Sequence, residues 1–230
     1  MLPKDYPKIE NVEICGTMLP AMHIGGDYYD LIQISPKKFF IVIGDVSGKG
    51  LSASFYMSKL QTMIRLNCVE GKRPKDVLVE INKRMFMEIE KNWFITVSLG
   101  FVDMENNSLT FVRAGHTPLL KFINGKVESF QPSGVGVGLE KGELFASSLE
   151  ELTVPFEPGS MLYFFSDGVT ELMNSKYELF GSEKLEKLLS DNLDIPCEEM
   201  CTKLLTEFEN FRGDFHQYDD ITFVIIKHLK

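Results

Sequence analysis

"FFIVIGDVSGKG" (Phe39 to Gly50) decides how the chain is to be read. Its opening apolar run, Phe39 to Ile43, is aromatic and β-branched throughout and too short for a buried helix. It suits a central β-strand covered on both faces. The run stops at Gly44, and the next side chain is a carboxylate, Asp45. Two other stretches share this layout. "MLYFF" (161–165) is followed across Ser166 by Asp167, and "ITFVII" (221–226) is preceded by Asp219 and Asp220. If the third strand runs antiparallel to the others, its start lies beside their ends, and the acids gather at one edge of the sheet. Asp27, after Gly25 and Gly26, joins them if that turn delivers it there.

Two explanations stand. Aspartate is at home in turns, so each acid taken singly reads as turn chemistry. Taken together, carboxylates brought this close repel and need compensation. Hard divalent cations bound through oxygen supply it. Two such ions sharing a carboxylate and a water suit the in-line displacement of a phosphoryl group. Gly48, Gly50 and Gly168 allow close backbone approach beside the acids. The Gly-Gly-Asp of "HIGGDYYDLIQIS" (23–35) also matches the look of a diguanylate cyclase, and three letters do not decide between the readings.

Outward from these strands, further strands are expected near 95–103, 108–114, 118–123, 126–131 and 144–154, with Asn124-Gly125 as a hairpin turn. Helical spacing runs through Val77, Ile81, Met85 and Ile89, and through Met200, Leu204, Phe208 and Phe211. Residues 51–66 and 182–190 complete the helices, with Ser182 as an N-cap. Strands dominate and helices come in pairs. The class is therefore α+β, with largely antiparallel sheets packed together and helices outside.

The net charge of −9 over 230 residues disfavours nucleic acid as the main partner. No apolar stretch approaches the ~20 residues of a membrane helix, and "MLPKDYPKIE" lacks the apolar core of a signal peptide. The cytoplasm is the expected location, with no membrane partner. The four cysteines read as buried or half-buried thiols rather than as a metal site or a disulfide.

In order along the chain, "GGDYYD" (25–30), "GDVSGKGLSAS" (44–54), "AGHTPLL" (114–120), "FSDGVTE" (165–171), "LFG" (179–181) and "YDDITFVII" (218–226) resemble the stage II sporulation protein E-like serine phosphatases. These belong to the metal-dependent type 2C protein phosphatase superfamily. The resemblance implies a four-layer α-β-β-α sandwich and a single catalytic domain over 1–230, with its core from about residue 10. It implies two divalent cations, Mn²⁺ or Mg²⁺, and a bridging hydroxide that attacks phosphoserine or phosphothreonine without a covalent intermediate. Asp45 is then the bridging ligand, with the Val46 carbonyl on one ion. Asp167 and Asp219 hold the other, and these two with Asp45 form the catalytic set. Asp27 holds an ion directly or through its waters. Asp220 stands where distant relatives have asparagine and is taken as a further ligand.

The implied substrate is a small regulatory phosphoprotein, such as an anti-anti-sigma factor. A regulatory domain or partner is expected to act on the helix after residue 50. The sequence also departs from the wider superfamily. Ser47 stands where many members carry a histidine, and the phosphate-gripping arginine before the first acidic motif is missing. His23 reads as a surface strand residue and His116 as a structural hydrogen-bonding group before Pro118. "GVGVG" (134–138) lacks the context of a phosphate loop. A non-catalytic module that keeps the fold is the rival reading, with the cyclase behind it.

Overall fold

A computed structural model describes residues 3 and 6–230. In chain order the elements are β1 (Val12–Leu19), β2 (Asp27–Ser35), β3 (Lys38–Val46), α1 (Leu51–Asn67), α2 (Pro74–Glu88), β4 (Ile95–Asp103), β5 (Ser108–Ala114), β6 (Leu119–Ile123), β7 (Lys126–Phe130), α3 (Gly142–Ser148), β8 (Glu151–Pro155), β9 (Met161–Phe165), α4 (Asp167–Thr170), α5 (Gly181–Ser190), α6 (Cys197–Arg212) and β10 (Ile221–His228). The strands form two five-stranded sheets, ordered β1-β10-β9-β6-β7 and β2-β3-β4-β5-β8. All strand pairs within them are antiparallel.

Alternation along the central strands explains the layers. Phe39, Ile41 and Ile43 of β3 face inward and meet Leu162, Phe164, Val224 and Ile226 of the other sheet. Phe40 and Val42 point outward, beneath Leu60 and Ile64 of α1 and Leu78 and Ile81 of α2. On the opposite side Tyr163, Phe165, Phe223 and Ile225 pack under Leu185 and Leu189 of α5 and Leu204 and Phe208 of α6. Central strands with both faces covered must be apolar at consecutive positions, and burying each such side chain stabilises the fold by ~1.5–3 kcal/mol. The architecture is the four-layer α-β-β-α sandwich. Among the described residues no helix is long and apolar enough to cross a membrane.

Several expectations need correction. The span 144–154 is not one strand: α3 covers its start, burying Phe145, and β8 begins at Glu151. Phe145 and Leu149, one helical turn apart, both enter the cluster beneath α1 and α2. β1 and β2 were not expected as strands; both lie at sheet edges. α5 is capped by Phe180 with no side-chain cap bond, so Ser182 is not its N-cap. His23 sits exposed in a bend before β2, not in a strand. Cys15 on β1 and Cys201 on α6 form a disulfide with Cα atoms 6.6 Å apart, while Cys68 and Cys197 are buried and free. A separation of 186 residues hid that pair from any spacing argument. The hairpin turn at Asn124 and Gly125 is as expected, with φ of 51° and 73° joining β6 to β7.

Candidate metal centre

The acids meet at one end of the sandwich, contributed by both sheets and not by the edge of one. Asp27 opens β2 and pairs in register with Asp45 near the end of β3. Across the interior, Asp167 begins α4 just after β9, and Asp219 and Asp220 lead into β10. The antiparallel pairing of β9 with β10 sets the end of one beside the start of the other. The Ser166 N–H donates to the Thr222 carbonyl at 2.8 Å, which fixes that junction.

Electrostatics joins the two halves. Asp45 is pushed up to about 7, first by burial, then by the charges of Asp167 and Asp219. Asp27 is raised well above the usual carboxylate range, by burial first and by Asp45 second. Asp167 is raised by burial and by Asp219. Glu171, which sequence reasoning passed over inside "FSDGVTE", is raised by burial and by the charges of Asp167 and Asp219, so it belongs to the rim.

Asp27 is 2% exposed, and its Oδ2 has no hydrogen-bond partner among the described residues. An orphaned buried carboxylate oxygen is costly unless something else satisfies it. The donors here are carboxylates and a backbone carbonyl, the hard oxygen set that divalent cations prefer. The residues fit such ions in kind. Among the described residues, however, no three His, Cys, Asp or Glu side chains already converge as ligands of one ion. The site presents a donor set, not a closed cage.

Asp220 is occupied differently from its neighbours. Its Oδ1 accepts from the Ala21 N–H at 2.8 Å, and its Oδ2 from the N–H groups of Gly26 at 2.7 Å and Asp27 at 3.3 Å. The carboxylate thus clamps the turn that delivers Asp27. This accounts for two glycines. A Cβ on Gly25 would lie 2.3 Å from Asp220 Oδ2, and one on Gly168 would lie 2.0 Å from the Asp220 carbonyl. Gly26 packs against the Val46 carbonyl, 3.2 Å from where its own Cβ would stand.

Other groups lock the surroundings. The Ser166 hydroxyl donates to the Asp220 carbonyl at 3.3 Å and accepts from the Thr222 N–H at 3.1 Å. The Ser54 hydroxyl, on the first turn of α1, donates to the Gly25 carbonyl at 3.0 Å. Ser47 accepts the Phe94 N–H at 2.8 Å, so its side chain is spent on holding the loop. His116 is buried, shares a 2.8 Å hydrogen bond with Thr96, and is held to about 3, chiefly by burial. It is neutral and stands next to the site, since Thr96 is the register partner of Asp45 and shares its face of the sheet. Ser54 and Ser166 carried no signal in the sequence beyond their place inside acidic motifs. Gly134 to Gly138 pass beside β4 and hold no acid of the cluster.

The profile of the family described as stage II sporulation protein E matches residues 35–229. Protein IcfG of Synechocystis is 25% identical over 98% of this chain and 39% of its own length. The phosphoserine phosphatase RsbU of Bacillus subtilis is 26% identical over 99% of this chain and 66% of its own length. The chain therefore spans less than two thirds of the length of these relatives. Among solved structures, the SiaA-PP2C domain of Pseudomonas aeruginosa superposes with a TM-score of 0.82 at 20% identity, covering 93% of this chain and 85% of that one.

Proposed function

The chain belongs to the stage II sporulation protein E family, and on that premise we propose that it is a metal-dependent protein serine/threonine phosphatase. The observation that carries the reading is the buried, unpartnered Oδ2 of Asp27 inside a cluster of acids that raise one another's pKa values. Two divalent cations, Mn²⁺ or Mg²⁺, would supply there the charge that stabilises an in-line phosphoryl displacement and a water of lowered pKa to make the attack.

The chain's own residues divide the work. Asp45 stands between the two halves and would be shared by the cations, with the Val46 carbonyl beside it. Asp167 and Asp219 would hold a cation on the β9–β10 side. Asp27 fixes the interior side. Asp220, with both oxygens given to backbone N–H groups, serves by keeping the Asp27 turn in place. The substrate is phosphoserine or phosphothreonine on a small regulatory protein of the anti-anti-sigma kind, and residues 1–230 act as one catalytic domain. A regulatory domain or partner that shifts α1 would move the Ser54 contact to Gly25 and the loop after Asp45 together.

The test is hydrolysis of p-nitrophenyl phosphate and of a phosphoserine protein with Mn²⁺, with and without chelator. Turnover that needs Mn²⁺ and stops with chelator supports the reading. Hydrolysis unaffected by chelator overturns it, as does none at any metal concentration.

A further inference from the structure

Lys49 reaches from the loop after β3 to the other sheet. Its ammonium lies 3.1 Å from Asp219 Oδ2 and also donates to the Tyr218 carbonyl. Among the described residues it is the one lysine or arginine ion-paired with an acid of the site. Its charge also opposes the upward shifts of Asp167 and Glu171. The pair is open to solvent, with side chains 48% and 43% exposed. The loop itself is held, by Ser47 against Phe94 and by Gly48 against Trp93, so any movement belongs to the exposed lysine side chain.

We propose that Lys49 is a tethered counter-ion, which neutralises Asp219 until a divalent cation takes that carboxylate and then holds a phosphoryl oxygen of the substrate. The inference rests on the reading of the site as a metal-dependent phosphatase. An exposed lysine–carboxylate pair is weak, so a divalent ion with several oxygen ligands displaces it readily. Lysine is suited to the exchange, being a compact charge on a flexible four-carbon stem. Once the cations take Asp219, the negative charges left for Lys49 are Glu171 at the rim and the substrate's phosphate, and the phosphate carries the greater charge. The swing leaves a cation for the phosphoryl group in a site where, among the described residues, no other lysine or arginine is paired with the acids.

One variant reads both halves of this inference in opposite directions. Lys49→Gln should bind Mn²⁺ roughly two- to fivefold more tightly by calorimetry, because the competing charge is gone. At saturating Mn²⁺ the same variant should show a KM for p-nitrophenyl phosphate raised roughly tenfold, the loss of one charged hydrogen bond. Lys49→Arg should restore both toward the unmodified values. A merely structural role would weaken metal and phosphate binding together, and that result overturns the proposal. So does a Lys49→Gln variant with unchanged Mn²⁺ affinity or unchanged KM. If the unmodified chain binds no Mn²⁺ in calorimetry, the phosphatase reading itself falls, and this inference with it. Mn²⁺ binding with no effect of the substitution sinks the inference alone.

Discussion

The two ends of the sandwich treat buried charge in opposite ways. At the end away from the acids, Lys227 of β10 donates to the Leu193 and Ile195 carbonyls. The neighbouring His228 makes a 2.7 Å bond with the Phe156 carbonyl. Lys121 of β6 pairs with Glu157 at 2.7 Å. Every one of these groups has a partner. At the acid end, Asp27 Oδ2, His116 Nε2 and Thr222 Oγ1 are buried with no hydrogen-bond partner among the described residues, and like charges face one another. One end is built as proteins usually bury polar groups. The other stores repulsion that a proton or a cation relieves, the kind of local inconsistency that marks a functional site.

The largest expected effect breaks this contrast at its centre. Asp45→Ala should lower Mn²⁺-dependent turnover on p-nitrophenyl phosphate by on the order of 10³-fold, the scale seen on losing one charge-stabilising group at a reacting centre. In chelator its melting temperature should not fall, because one repelling carboxylate has gone. A variant that turns over normally at saturating Mn²⁺ removes Asp45 from the centre.

Asp220→Asn comes next. Asparagine keeps one acceptor oxygen but puts an NH₂ where the second must accept, so either the Ala21 or the Gly26 N–H loses its partner. Turnover should drop by roughly 10–100-fold, as for partners that orient metal ligands. If Asp220 were itself a main ligand, the loss would match that of Asp45→Ala.

At the opposite end the same kind of change should act on stability alone. Lys227→Met removes the donor from two carbonyls. Unfolding in urea should show a loss of about 1.5–3 kcal/mol, with kcat on the aryl phosphate unchanged. A fall in kcat at equal folded fraction would mean the two ends are coupled, and the division of labour drawn above would be wrong.

How much of this was legible in the sequence follows the same division. The central strands were readable because helices and the facing sheet cover both sides of β3, β9 and β10, which forces continuous apolar runs. β1, at one sheet edge, is half-buried at all but one position, and the buried start of β2, Asp27 to Leu31, is broken by two aspartates, so neither carries such a run. The acids showed as a pattern because each abuts a strand. What they do to one another did not, because it depends on pairings between distant segments. The Gly26 N–H and the Asp220 carboxylate that accepts it are 194 residues apart, and the Lys49–Asp219 pair joins different sheets. Close approach was legible at Gly168 but not at Gly25, and what approaches was legible at neither. Their reason is steric, since Asp220 occupies the space a Cβ would need.

The smallest expected effect is also the sharpest test of the contrast, because the two ends titrate with opposite signs. Asp45 is raised from 3.8 to about 7, by burial first and then by Asp167 and Asp219. Between those values the folded chain holds a proton that the unfolded chain has lost, so stability falls as pH rises through this window. Glu157, at the other end, is held below its ordinary 4.5 by the hydrogen bond from Lys121. Its contribution is present above 4.5 and is lost as pH falls through the lowered value. Without metal, the melting temperature should therefore peak on the acid side and decline toward pH 7. Asp45 is only partly buried, and solvent screening reduces the effect to the order of 1 kcal/mol, or about 2–4 °C for a chain of this size. Asp45→Asn should remove most of the decline above pH 4 and leave the acid limb intact. Lys121→Met should do the reverse. Saturating Mn²⁺ should cancel the decline in the unmodified protein, since the cations replace the proton in balancing the acids. A metal-free melting temperature that rises steadily from pH 4 to 7 would show that the acids at the site end are not under mutual repulsion, and the comparison of the two ends would fail there.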